Sequence, residues 1–395
     1  MTGPGRILVV GASAAGLTTV EALRRKGYTG AIDVLGDEVH APYDRPPLSK
    51  QVLAGAWEPQ RAALRTAEVI ANLDADFVLG DAASSLDVAA RTVRTTSGRE
   101  LSADVVVLAT GVRARALPGQ EGIAGVYTLR GLDDAVALKA DLRPGSRLVV
   151  VGEGVLGSEI AATARTLGLD VTLTGPLAAP MALQVGPMVS ELLADLHREH
   201  GVRLRLGSGV AGLLSEDGRV TGVRLSSGEI LPSDVVVVAI GATPATQWLD
   251  DSGLTLDNGV VCDARCRAAD GIYAVGDVAR FHHESYNRLM RLENRTNATE
   301  QAAAVAAVIL GEDRAYAPVP YFWTDQFEAK LQVHGLLPAD AETEVVEGDV
   351  AGRRFVVRYT SGGAVTGILG WNMPKQTRMR RQEVVDSITA SVSVP

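Results

Sequence analysis

The chain of 395 residues predicts an α/β protein with two Rossmann-like dinucleotide-binding domains and a C-terminal α+β domain carrying an antiparallel sheet. Three observations carry this expectation. An apolar run from Ile7 to Val10 enters Gly11-Ala-Ser-Ala-Ala-Gly16, and a second from Leu148 to Val151 enters Gly152-Glu-Gly-Val-Leu-Gly157. Each copy is closed later by a matching segment, Ser97-Gly98 through Asp104-Val-Val-Val-Leu-Ala-Thr-Gly111 and Ser227-Gly228 through Asp234-Val-Val-Val-Val-Ala-Ile-Gly241. From Pro318 onward the texture changes to short alternating runs. A lone glycine motif is weak evidence, whereas repetition over whole domains is specific.

In the first copy Leu17, Val20 and Leu23 recur at helical spacing, Gly27 sits where a helix stops, and Ile32 to Leu35 reads as the returning strand. Asp37 and Glu38 follow Gly16 by about 20 residues, where an acid meets a ribose hydroxyl in such folds. Ser13 replaces the loop's second glycine, which requires a negative φ there. The second copy reads as a strand from Arg147, a helix carrying Ile160, Ala164 and Leu167 with a stop at Gly168, and a strand Val171 to Thr174. Its specificity signal is missing. No charged residue occurs from Val171 through Ser190, and Gly175 stands where a ribose-binding acid is expected.

Asp270 to Asp277 reads as another strand ending at an acid, and Ala298 to Leu310 as an Ala-rich helix; both return to the first domain. Val345 to Glu347, Arg353 to Tyr359 and Val365 to Leu369 read as strands, with Thr360 to Gly363 as a turn. The expected domains are 1–112 with 242–317, 113–241, and 318–395. A net charge of -9 opposes nucleic-acid binding. No apolar run approaches the roughly 18 residues of a membrane span, so a cytoplasmic protein is expected. Cys262 and Cys266 read as unpaired thiols, and the six His form no cluster with metal-ligand spacing, so no metal is expected.

The order of these elements resembles the FAD-dependent pyridine-nucleotide reductases, and its details resemble the oxygenase-coupled ferredoxin reductases. The carriers are Gly11 to Gly16, Pro42 to Lys50, Ala109-Thr110-Gly111, Gly152 to Glu159, Ala274 to Asp277, Glu293 to Gln301 and Pro320 to Gln326. The resemblance implies a first domain holding FAD through Gly11, Ser13, Ala14, Ala15, Gly16, Asp37, Glu38, Arg45, Lys50, Ala109, Thr110, Gly111, Arg130, Gly276, Asp277 and Arg295. It implies an NADH or NADPH site at Gly152, Gly154, Val155, Leu156, Gly157, Glu159 and Gly241. Catalysis falls to Lys50 and Glu159, facing each other beside the flavin, and to Trp323 near the partner surface. Hydride transfer is the cofactors' own chemistry, so the protein must stack the rings, exclude water and balance charge, and a Lys and Glu pair suits that task. Plainer readings stand beside these: Asp277 as a helix cap, Lys50 as a solvated loop lysine, Glu159 as a first-turn acid and Trp323 as packing.

Gly175, Leu183 and Arg295 depart from the family's usual Glu, Arg and Trp. Glu153 places a carboxylate in the glycine loop, where an outward side chain is harmless. These departures predict weak nucleotide binding with little discrimination between NADH and NADPH, improved by Gly175→Glu. The leading function is transfer of electrons from NAD(P)H through FAD to a two-iron two-sulfur ferredoxin serving a monooxygenase or dioxygenase. The alternatives are a flavin NADH oxidase or small-molecule reductase, and a non-enzymatic flavoprotein with a decayed nucleotide site. From Val350 to Gln382 there is no acid, while Arg353, Arg354, Arg358, Lys375, Arg378, Arg380 and Arg381 are basic. That run predicts docking of an acidic ferredoxin through Lys375, Arg378, Arg380 and Arg381, the alternative being a solvated face.

Overall fold

The computed structural model describes residues 3–392; the outermost ends of the expected first and last domains, 1–2 and 393–395, lie outside them. Strand Arg6–Val10 runs through the middle of a six-stranded sheet, because its apolar residues are covered on both faces: Ile7, Leu8 and Val9 are fully buried. The order is Arg267–Ala269, Ile272–Ala274, Val105–Leu108, Arg6–Val10, Ala31–Gly36, Asp76–Leu79. All neighbours are parallel except the Arg267–Ala269 edge.

A second, wholly parallel sheet repeats this centre in the order Arg203–Leu206, Asp170–Gly175, Arg147–Val151, Val235–Val238, Val126–Thr128. The repetition extends to single atoms. Asp104 Oδ2 accepts from Gly5 N and Arg6 N at 2.7 and 2.9 Å, and Asp234 Oδ2 accepts from Arg147 N at 2.9 Å, so each closing strand is locked to its glycine-loop strand by the same carboxylate. The Ser97-Gly98 and Ser227-Gly228 turns each lie in a three-stranded antiparallel sheet, Ala83–Asp87 with Thr92–Thr95 and Glu100–Ser102, and Val210–Glu216 with Arg219–Leu225 and Ile230–Pro232. Val112–Ala114 and Ala242–Pro244 pair antiparallel as a two-strand ribbon.

The C-terminal sheet is antiparallel throughout, ordered Tyr321–Gln326, Ala329–Gly335, Ala364–Trp371, Arg354–Ser361, Glu342–Asp349. Alternation along its strands divides it into two buried faces. One packs Leu331, Val333, Phe355, Val357 and Trp371 against Met181, Val185, Val189, Leu193 and Leu196 of the helix Ala182–Glu199 and its entry. The other packs Val356 and Ile368 against Val384 and Ile388 of the helix Pro374–Val392. A helix of the second nucleotide unit thus forms part of the third unit's core. The helix Arg295–Ile309 begins before the Ala-rich run, because the Asn294 side chain caps it by accepting from Asn297 N at 2.7 Å.

Candidate functional site

Both glycine loops have the same backbone solution. Gly11 has φ +119° and Gly152 φ +112°, and a Cβ on either would lie 2.2 Å from the carbonyl oxygen of Ala109 or Ala239. A Cβ on Gly16 or Gly157 would lie 1.8 Å from the carbonyl oxygen of Gly11 or Gly152. Only hydrogen fits at these four positions, and the loop therefore stays close against the helix that follows. Ser13 takes φ -101°, as a residue with a side chain must, and caps the helix Ala14–Arg25 without a side-chain hydrogen bond. First-turn residues of both helices, Ala14 and Ala15 of Ala14–Arg25 and Val155 and Leu156 of Val155–Thr166, line one cavity of about 1470 Å³, and the N–H groups of a helix's first turn have no intrahelical partner.

The cavity brings together Ser13, Ala14, Ala15, Arg45, Lys50, Ala109, Gly111, Arg130, Gly276, Asp277 and Arg295 with Gly152, Gly154, Val155, Leu156, Glu159, Gly241 and Trp323. Asp37, Glu38 and Thr110 line a smaller adjoining cavity beside Gly11. Asp37 is exposed. Glu38 is held by Arg45 at 2.6 Å and by the Tyr43 hydroxyl; burial opposes its charge, but Arg45 and Tyr43 outweigh it and bring its carboxyl below the usual range. The Thr110 hydroxyl donates to Ala245 O at 3.0 Å, tying the loop to the two-strand ribbon.

Asp277 is held by Arg130 at 3.2 Å, and burial pushes its carboxyl up despite that neighbour. Burial, with Arg45 nearby, pulls the Arg130 guanidinium down, and its Nε is buried with no partner. In the smaller cavity the buried Trp248 Nε1 is likewise unpartnered. Unfilled donors, an under-neutralised acid and Cβ-free loops fit a dinucleotide such as FAD in the first unit. Arg295, at the first turn of its helix, pairs with Asp44 at 2.7 Å on the same wall.

Glu159 joins the three units. Its Oε2 accepts from Lys50 Nζ at 2.7 Å and Ser49 Oγ at 2.6 Å, and its Oε1 accepts from Thr324 Oγ1 at 2.9 Å. Ser49 closes the turn Pro46–Ser49, Lys50 follows it, and Thr324 lies on the first strand of the C-terminal sheet. Trp323, beside Thr324, stacks on Tyr321 with ring centroids 5.9 Å apart. The network continues inward, Gln326 Nε2 donating to Thr324 Oγ1 at 3.2 Å while Gln326 Oε1 meets His197 Nε2 at 2.8 Å.

His197 is fully buried, its Nδ1 has no partner, and burial lowers its pKa to about 4. Because the folded value lies below the unfolded one, the unfolded chain takes up a proton between about pH 6.5 and 4 that the native state refuses, and stability falls as pH drops through that window. The loss amounts to roughly 2 to 3 kcal/mol. Denaturation midpoints at both ends of the window should fall further for the wild type than for His197→Gln, and equal losses would remove His197 from the account.

Two placements correct the sequence reading. Glu153 does not point outward: it is 4% exposed and its carboxylate lies over Gly175. The basic run is not unopposed. Arg353 pairs with Glu199 at 2.7 Å, Arg358 with Glu344 and Glu383 at 2.9 and 2.8 Å, and Arg380 with Glu347 and Glu383 at 3.3 and 2.7 Å. The sequence also missed Ser49, Thr324, Gln326 and His197; the first three lie inside quoted motifs, whereas nothing local marks His197. The two thiols are free and buried, and burial raises Cys266 to about 12, so neither is a poised nucleophile.

Two dinucleotide loops opening on one cavity define the class, a reductase that moves electrons between two nucleotide cofactors. The chain belongs to the pyridine nucleotide-disulphide oxidoreductase family, matched over residues 5–302, and it carries a Reductase C-terminal domain over residues 321–392. It is 36% identical over 378 residues to rhodocoxin reductase of Rhodococcus erythropolis, covering 95% of this chain and 88% of that one. It is 35% identical over 395 residues to putidaredoxin reductase CamA of Pseudomonas putida, covering 98% and 93%. A crystal structure of the covalent putidaredoxin reductase-putidaredoxin complex superposes with a TM-score of 0.93 at 34% identity, over 98% of this chain and 94% of that one.

Proposed function

We propose that the chain is a cytoplasmic ferredoxin reductase, taking electrons from NAD(P)H through FAD to a two-iron two-sulfur ferredoxin that serves an oxygenase. The observation that carries this reading is the Lys50–Glu159 pair, 2.7 Å apart and buried in the one cavity onto which both glycine loops open. The named acceptors of the relatives, rhodocoxin and putidaredoxin, support a protein acceptor over a small-molecule one. Residues 1–112 and 242–317 form the FAD unit in this reading, 113–241 the nucleotide unit and 318–395 the third unit.

Bound FAD supplies the step between a two-electron hydride donor and a one-electron iron-sulfur acceptor. The chain's own residues shape the place where it happens. Loop N–H groups at Ala14, Ala15, Val155 and Leu156 receive the two pyrophosphates. Asp277 and Arg130, paired at 3.2 Å on the cavity wall, would hold polar groups of the first cofactor. The Lys50 ammonium would lie where negative charge develops, and Glu159 holds it in place at 2.7 Å. Trp323 and Pro320 wall the cavity on the third unit's side.

The acceptor surface we propose is smaller than the basic run. With Arg353, Arg358 and Arg380 neutralised, Arg354, Lys375, Arg378 and Arg381 make no close ion pair among the described residues. Lys375, Arg378 and Arg381 are exposed on the final helix, where they suit an acidic ferredoxin. The test is anaerobic stopped-flow. The flavin should bleach rapidly with NADH, and ferredoxin reduction should slow with salt, because screening acts over about 8 Å at ~0.15 M. Lys375→Glu with Arg378→Glu should raise the Michaelis constant for ferredoxin about fivefold or more at low ionic strength while leaving FAD content intact. Failure to bleach with either nucleotide sinks the reductase reading; unchanged ferredoxin kinetics in the double variant sink the surface.

A further inference from the structure

The second nucleotide unit lacks an acid at the end of its returning strand, yet a carboxylate is there. Strand Asp170–Gly175 ends at Gly175, and a Cβ built on that glycine would lie 1.6 Å from Glu153 Oε2 and 2.3 Å from Glu153 Cδ. The carboxylate of the loop residue thus fills the space from which a side chain at position 175 would start. Leu177 N donates to Glu153 Oε1 at 2.7 Å, and Met181 N donates to Glu153 O at 2.8 Å, so the segment after the strand is fastened to Glu153 at two points. Among the described residues the carboxylate accepts no other hydrogen bond, which leaves Oε2 on the cavity wall with capacity for donors.

The surroundings say which donors. Of the cavity residues contributed by 151–242, Glu153 and Glu159 are the ionisable ones, and Glu159 is consumed by Lys50, Ser49 and Thr324. Gly175 and Leu177 touch Glu153, and the rest of the lining from 151–242, Pro176, Leu183, Gln184 and Val210 among it, brings no cation. In dinucleotide folds an acid at the end of the second strand binds the adenosine ribose hydroxyls, and an arginine nearby accepts a 2'-phosphate instead. A nearly buried carboxylate, in a stretch that brings no arginine or lysine to the lining, suits two ribose hydroxyls and opposes a phosphate.

We infer that Glu153 is the specificity-determining residue of the pyridine-nucleotide site, a transposed acid that binds the adenosine ribose of NADH from within the glycine loop and excludes NADPH. Gly175 is its complement, since any side chain there collides with it. The inference rests on the proposed use of the second loop for a pyridine nucleotide. It reverses the expectation of weak, unselective binding, and it makes Gly175→Glu alone harmful, because two carboxylates would compete for one space.

The test is calorimetric titration of the FAD-loaded enzyme with NAD+ and, separately, NADP+, neither of which turns over without a reductant. Wild type should bind NAD+ at least about a hundredfold more tightly than NADP+, the ratio expected when a charged hydrogen bond is replaced by repulsion. Glu153→Gln should weaken NAD+ by about tenfold or more and shrink the preference, with the denaturation midpoint little changed because the amide oxygen still takes Leu177 N. Glu153→Gly with Gly175→Glu, which moves the acid back to the strand end, should recover NAD+ selectivity. Wild-type NAD+ affinity in Glu153→Gln, or loss of selectivity in the double variant with intact binding, overturns the inference while leaving the reductase reading standing. Binding of neither nucleotide by wild type overturns both.

Discussion

Gly16→Ala is expected to yield a protein that purifies with little or no flavin, whereas Gly157→Ala should be yellow and reduced slowly or not at all by NADH. The two substitutions are the same physical change. Each adds a Cβ 1.8 Å from a carbonyl oxygen of its own loop, Gly11 O or Gly152 O, far inside van der Waals contact. The loop must then move off its helix, and the N–H groups that converge on a pyrophosphate separate. Because these loops are backbone copies of each other, any difference in outcome reports which nucleotide each one holds and not how severe the insult is. Visible absorbance of the purified variants and anaerobic reduction by NADH read the two effects separately. Flavin retained in Gly16→Ala and lost in Gly157→Ala would exchange the assignments of the two sites.

That experiment is available because the loops were legible in the sequence. Their signal is local: a continuous apolar strand, glycines where a Cβ cannot fit, and a closing strand with its own Asp. The C-terminal unit was legible as antiparallel strands from alternation, but its covering helices were not. Gly186, non-helical at φ 76°, and Pro187 interrupt the helical pattern inside Ala182–Glu199. Pro374–Val392 opens with Lys375 to Arg381, a stretch whose charge hides the single stripe of Thr377, Val384 and Ile388 that meets the sheet. The paired arginines escaped for a related reason. Arg358 stands directly across from Glu344 in the strand register, and a window read along the chain does not see cross-strand neighbours. For Glu153 a signal was present: an acid stands in the loop and none stands at position 175, and the fold brings these two positions into contact. Read separately, they suggested decay.

Glu159→Ala should be the most damaging single substitution at the junction. It deletes the acceptor of three hydrogen bonds, from Lys50, Ser49 and Thr324, which belong to two other parts of the fold. The side chains of Lys50 and Glu159 are 14% and 6% exposed, so the ammonium left behind has little water to replace its partner. Breaking one side of such a buried pair costs about 3 to 5 kcal/mol, because the uncompensated charge remains. The denaturation midpoint should fall accordingly. Replacing both members by apolar residues, Lys50→Met with Glu159→Leu, should return much of that stability, since no charge is then stranded. It should not return function. If the pair serves to hold positive charge where hydride arrives, NADH reduction of the flavin stays slowed by roughly a hundredfold in the double variant, the scale of losing one preorganised electrostatic contact. Glu159→Gln separates the remaining possibility, because the amide keeps an oxygen for one donor but no longer fixes the ammonium by charge. It strands the same ammonium, so it should lose part of the stability that Glu159→Ala loses, and still reduce slowly. Wild-type rates of flavin reduction in the apolar double variant would make the Lys50–Glu159 pair a clamp between units with no part in the chemistry.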